Sequence, residues 1–99
     1  MKVIYKYQIK DPHDIQFEMP TGAKILTVQI QMGSFVTIWA LVDPNADLVI
    51  RRFRLIMTGE EIDDIEIDDL KYVGTVQTKH NMIEGQVIVG HLFESLYVG

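Results

Sequence analysis

Ninety-nine residues, 47% of them hydrophobic, are enough for one small domain spanning residues 1–99, and the absence of cysteine excludes disulfide staples and thiolate metal sites. The formal net charge of −5 argues against non-specific nucleic-acid binding, which rests on neutralising phosphates. No stretch approaches the ~20 apolar residues of a membrane span, and Met1–Lys6 lacks the apolar run of a signal peptide, so a protein of a reducing cytoplasm, off the membrane, is the expectation.

The first strand is expected at Val3–Ile9, where Val3, Tyr5, Tyr7 and Ile9 alternate with Ile4, Lys6 and Gln8. Lys10-Asp11-Pro12-His13 is a loop, and Ile15, Phe17 and Met19 alternate in a short second strand. Short connections usually join neighbours, which predicts a hairpin of these two. Pro20-Thr21-Gly22 is a turn, with Gly22 supplying a positive φ.

The fold is expected to organise around Ala23–Asp43, read as strands Lys24–Met32 and Phe35–Val42 joined by Gly33-Ser34 in a type II′ turn. A two-residue loop puts Leu26, Val28, Ile30, Met32, Phe35, Trp39 and Leu41 on one face. A three-residue loop slips the register by one, turns Val36, Ile38, Ala40 and Val42 inward, and sends Trp39 to the face of Gln29. The two-residue loop is preferred because it buries Trp39, the largest side chain. The second strand of the pair is apolar on both faces except at Thr37, which predicts a central position.

Asp43–Asp47 ends the hairpin and Leu48–Thr58 is the next strand, with Val49, Phe53, Leu55 and Met57 on one side and Arg52, Arg54 and Ile56 on the other. Arg51 falls on the apolar side, which predicts a bulge or a sheet edge there. Residues 60–69 hold seven carboxylates around Ile62, Ile65 and Ile67, and read as a loop with at most a short helical turn near 60–68. Lys71–Gln77 and Gln86–Glu94 are the last strands, separated by the polar stretch Thr78–Gly85. About seven short strands without an amphipathic helix predict an all-β fold, a small antiparallel sandwich or a partly open barrel.

Charge is laid unevenly along this chain. Residues 1–58 carry seven Lys/Arg and five Asp/Glu, a balance of +2; residues 59–99 carry two Lys and nine Asp/Glu, a balance of −7. The acidic residues Glu60, Glu61, Asp63, Asp64, Glu66, Asp68 and Asp69 lack the glycine and the alternating spacing of an EF-hand loop. Such a run is ordinarily a solvated loop; its functional alternative is a surface for a basic protein partner. Arg51, Arg52 and Arg54 form the one basic cluster. Arg52 and Arg54 lie about 7 Å apart on one strand face, and with Tyr5 or Tyr7 are candidates for holding a nucleotide-like anion. The ordinary reading of the arginines is pairing with the acidic segment or guarding an edge, and that of the aromatics is core. His13, His80 and His91 are scattered; His91 on an apolar strand face reads as a satisfied, partly buried histidine. No zinc spacing, P-loop or nucleophile elbow occurs, so no catalytic residue, metal or cofactor is assigned. Leu96, Tyr97 and Val98 make an apolar tail that predicts burial against a second copy, a dimer above all.

The segments Ile4–Tyr7, Met19–Gln29, Trp39-Ala40-Leu41-Val42-Asp43-Pro44, Thr58-Gly59, Ile62-Asp63, Tyr72-Val73-Gly74-Thr75 and His91–Glu94 resemble a family of small uncharacterised phage and prophage proteins, over the chain to about Glu94. The resemblance implies a phage accessory protein in the cytoplasm of a bacterial host, and carries no catalytic residues. The functional expectation is a non-enzymatic interaction protein that counters host defence, by binding a host protein or by sequestering a nucleotide-like signal. The alternatives are a nucleotide-processing enzyme built on His80, His91 and carboxylates, and a minor structural component of the virion.

Overall fold

Alternation of period two governs the strands of this chain. The computed structural model describes residues 1–31, 35–79 and 87–96. Among them run β1 (Val3–Gln8), β2 (Ile15–Pro20), β3 (Lys24–Gln31), β4 (Phe35–Val42), β5 (Leu48–Met57), β6 (Leu70–Lys79) and β7 (Val87–Ser95), with one helical turn, α1 (Asp64–Ile67), between β5 and β6. Two antiparallel sheets result, β1-β4-β3 and β2-β5-β7-β6, and the sheets do not close into a barrel. The fold is an all-β sandwich, and β4 holds the central place its double-sided apolarity predicts.

The core lies between the sheets. Ile38, Ala40, Val42 and Val28 from the first sheet meet Ile15, Met19, Phe53, Val76 and Leu92 from the second. Met19, Ile38, Val42 and Leu92 are wholly buried. Full burial of each such aliphatic side chain contributes about 1.5–3 kcal/mol.

The preferred register of the β3–β4 pair is overturned. Gln31 stands opposite Phe35, Val28 opposite Ile38 and Thr27 opposite Trp39. Three residues therefore separate the paired positions, and the other register holds. Met32, Gly33 and Ser34, with the expected turn type, lie outside the described residues. Trp39 is half-buried on the outer face of its sheet, opposite Thr27 and Lys6, and takes no part in the core. Val28 faces inward in either register, so the difference falls on the β4 row. A Cβ placed on Gly74 of β6 would come within 2.7 Å of Val28 Cγ1, which marks where β3 and β6 pack closely. The observed register supplies the interior with Ile38, Ala40 and Val42. Thr37 is wholly buried in this register, and its hydroxyl is satisfied by donating to the Phe35 carbonyl at 3.2 Å.

The hairpin expected of the first two strands does not form. β1 pairs with β4 and β2 with β5, so residues 9–14 cross from one sheet to the other. The Ile9 N–H still donates to the Val36 carbonyl at 2.8 Å before the chain leaves. The bulge expected near Arg51 is also absent, for β5 runs in unbroken register against β2 and β7. Bulges sit instead between Ile25 and Thr27 in β3 and between Tyr72 and Gly74 in β6. The first switches the alternation of β3, so Val28 is buried while Leu26 keeps 44% of its surface exposed. Gly22 has φ +81°, as its turn requires, and the Ala23 N–H closes that turn on the Pro20 carbonyl at 3.0 Å.

Candidate functional site

Cross-strand partners share a face, so the register of β5, β6 and β7 lays out the two sides of the larger sheet. Arg52 stands opposite Ser95, Arg54 opposite Phe93, and Ile56 opposite His91; Tyr72 and Thr75 of β6 complete the last two rows. All lie on the outer face. Arg51, Phe53 and Leu55 lie on the inner face with Glu94 and Leu92.

The acidic segment folds over the Arg54 side of the outer face. Asp63 caps α1, its carboxylate accepting from the Ile65 N–H at 2.8 Å, and the Ile67 N–H donates to the Asp63 carbonyl at 3.0 Å. Glu66 reaches down to Arg54, Nε to Oε1 at 2.5 Å. Glu60 folds back on the end of β5, where its carboxylate accepts from the Met57 N–H at 3.3 Å. Among the described residues Glu66 alone of the seven carboxylates is ion-paired. Glu60, Glu61, Asp63, Asp64, Asp68 and Asp69 are exposed, and Ile65 stands among them with 79% of its surface in solvent. The result is a tethered acidic ledge with an apolar tip.

The four residues expected to hold an anion are not brought together. Tyr5 and Tyr7 belong to the other sheet and share the inward side of β1, opposite Ala40 and Ile38. Tyr7 sets its ring 5.4 Å from that of Phe17. Burial, then the neighbouring Tyr5, pushes the Tyr7 phenol above its ordinary pKa, with Arg51 opposing. Beside Arg52 and Arg54 lies a cavity of about 340 Å³, but Asp14, Glu66 and Asp69 line it too, with Phe53 and Leu70. Two guanidinium groups against three carboxylates give it a net negative lining. Arg54 follows its ordinary reading and pairs with the acidic segment through Glu66.

His91 is satisfied on both ring nitrogens, by Thr75 Oγ at 2.9 Å on Nδ1 and Thr58 Oγ at 2.8 Å on Nε2. The Tyr72 hydroxyl continues the chain to Thr75 at 2.6 Å. Tyr72, Thr75, His91 and Thr58 thus form one hydrogen-bonded row, which the Val89 carbonyl ends at 3.5 Å from the Thr58 hydroxyl. His13 is exposed, its backbone N–H held by Asp11, and His80 lies outside the described residues. Among the described residues no three metal-ligating side chains gather, and no helix is long and apolar enough to cross a membrane. Leu96 is 56% exposed and its N–H donates to the Asp69 carbonyl at 2.7 Å; Tyr97 and Val98 lie outside the described residues.

One constellation has no counterpart in the sequence reading. Arg51 turns inward and meets Glu94 through Nε at 2.5 Å and a terminal nitrogen at 2.7 Å, while its other terminal nitrogen donates to the Ala23 carbonyl at 2.5 Å. Glu94 raises the pKa of Arg51, through this hydrogen bonding above all and against the opposing effect of burial. The pair forms part of the wall of a cavity of about 390 Å³ between β3 and β6, with Lys24 and Lys71 also lining it. The sequence conceals this group because Lys24, Arg51 and Lys71 sit on three strands at distant positions. The only local signal was Arg51 itself, a charge on an apolar face.

No curated protein and no solved structure matches the chain. A family model described as a domain of unknown function, DUF7352, matches residues 1–97, and the chain belongs to that family.

Proposed function

We propose that this protein is a non-enzymatic interaction protein that docks a basic protein surface on the acidic ledge of residues 60–69. The observation carrying this reading is the display of Ile65, 79% exposed, on a capped and tethered turn among carboxylates that, Glu66 apart, have no cation within reach among the described residues. An apolar anchor ringed by like charges suits a partner with a pocket rimmed by Lys or Arg, where charge steers encounter and the anchor supplies affinity. The likeness to phage and prophage proteins makes a bacterial host protein, in the host cytoplasm, the partner class of this reading, and interference with host defence its purpose. The net acidic lining beside Arg52 and Arg54 favours this over a nucleotide-like anion at those arginines.

The test is capture from bacterial lysate on the immobilised protein, with mass-spectrometric identification, repeated with Glu61→Gln, Asp64→Asn and Asp68→Asn combined with Ile65→Ser. These changes spare the Asp63 cap and the Glu66 tether. A specific protein retained by the wild type and lost from the variant supports the reading; equal retention by both defeats it. A homodimer remains part of the proposal, resting on exposed Leu96 and the apolar residues that follow it in sequence. Light scattering at micromolar concentration checks it, and a monomer mass removes it.

A further inference from the structure

We propose that the cavity between β3 and β6 is a binding site for a small organic phosphate, held by Lys24, Lys71 and the free N–H groups of Arg51. Its lining holds three cations against the single carboxylate of Glu94, a balance of +2 in a chain whose net charge is −5. That balance matches a phosphomonoester dianion. Both carboxylate oxygens of Glu94 are turned to Arg51, so Lys71, directly opposite Glu94 in the β6–β7 ladder, keeps its ammonium for something else. Arg51 has five N–H donors, of which three serve Glu94 and Ala23, leaving two. Its guanidinium is fixed from behind yet keeps 20% of its side-chain surface exposed, which pre-organises it for an anion.

The backbone is shaped for the same place. Among the described residues bulges fall at Leu26 in β3 and Val73 in β6, and both line this cavity. Bulges re-aim strands and are common next to binding sites, and these two lie beside the tight approach of Gly74 to Val28. At about 390 Å³ the cavity is in the size range of small-molecule sites and leaves room beyond a phosphate for an organic portion against its apolar walls. The site is separate from the acidic ledge and does not rest on the ledge's role.

Titration of the whole protein with AMP, inorganic phosphate and adenosine, read by calorimetry and by thermal shift, tests the assignment. AMP is expected to bind and raise the melting temperature, inorganic phosphate to bind more weakly, and adenosine more weakly still. Lys24→Ala with Lys71→Ala, both exposed positions, is expected to cost at least about tenfold in AMP affinity with an unchanged circular dichroism spectrum. Arg52→Ala with Arg54→Ala, and the neutralised ledge, are expected to leave AMP affinity unaltered. The proposal is overturned by no response at about 5 mM AMP, by binding that survives the lysine substitutions, or by binding that is lost with Arg52 and Arg54.

Discussion

Arg51 shows how a residue that breaks a pattern can be read. A lone guanidinium on the inner face of a strand would be costly, and the fold meets that cost with a bidentate carboxylate and a backbone carbonyl. Removing one partner strands the other: Arg51→Ala is expected to lower stability by about 2–3 kcal/mol, below the figure for a fully buried pair because both side chains keep some exposure. Arg51→Met with Glu94→Met should recover most of that loss in urea unfolding. Tyr7 supplies a pH signature. Its phenol titrates above its ordinary value in the fold, so the unfolded chain gives up this proton first. Stability from this group is whole below about pH 10, the ordinary value of a phenol, and falls as pH rises through the raised folded value. Tyr7→Phe should flatten that alkaline decline in thermal unfolding measured from pH 9 upward.

At the level of elements, the strands were legible and their pairing was not. Alternation located all seven strands to within a residue or two, because it is a local property of each segment. Register depends on what each face meets across the sandwich, and no periodicity contains that. Trp39 argued for its own burial by size, yet the core is built from the smaller row of Ile38, Ala40 and Val42. The β7 face of His91 and Phe93 read as apolar, but the core took Leu92 from the opposite side. Two measurements check this. Trp39 is the only tryptophan, so its fluorescence should be quenched readily by acrylamide; a blue-shifted, unquenched emission would restore the other register. Gly74→Ala should cost about 1–3 kcal/mol by overpacking against Val28. The same change in a Val28→Ala background should cost far less, a coupling that a double-mutant cycle reads directly.

Across the whole molecule, charge separates into an acidic ledge and a cavity lined by Lys24, Arg51 and Lys71. The acidic segment was visible in the sequence as seven carboxylates in ten residues, and its tether to Arg54 followed from having arginines nearby in the chain. The lysine-lined cavity was not visible, since topology alone gathers Lys24, Arg51 and Lys71. Binding through the ledge should weaken steeply with added salt, because its charges are exposed and screened within roughly 8–10 Å at physiological ionic strength. Binding in the cavity should weaken with salt as well, because Lys24 and Lys71 are exposed, leaving Arg51 as its more sheltered cation. The most direct test of the interaction reading is hydrogen–deuterium exchange on the protein bound to its captured partner. Protection concentrated at residues 60–69, centred on Ile65, is the result expected; protection confined to the outer face of the β1-β4-β3 sheet, with the ledge exchanging freely, would contradict it.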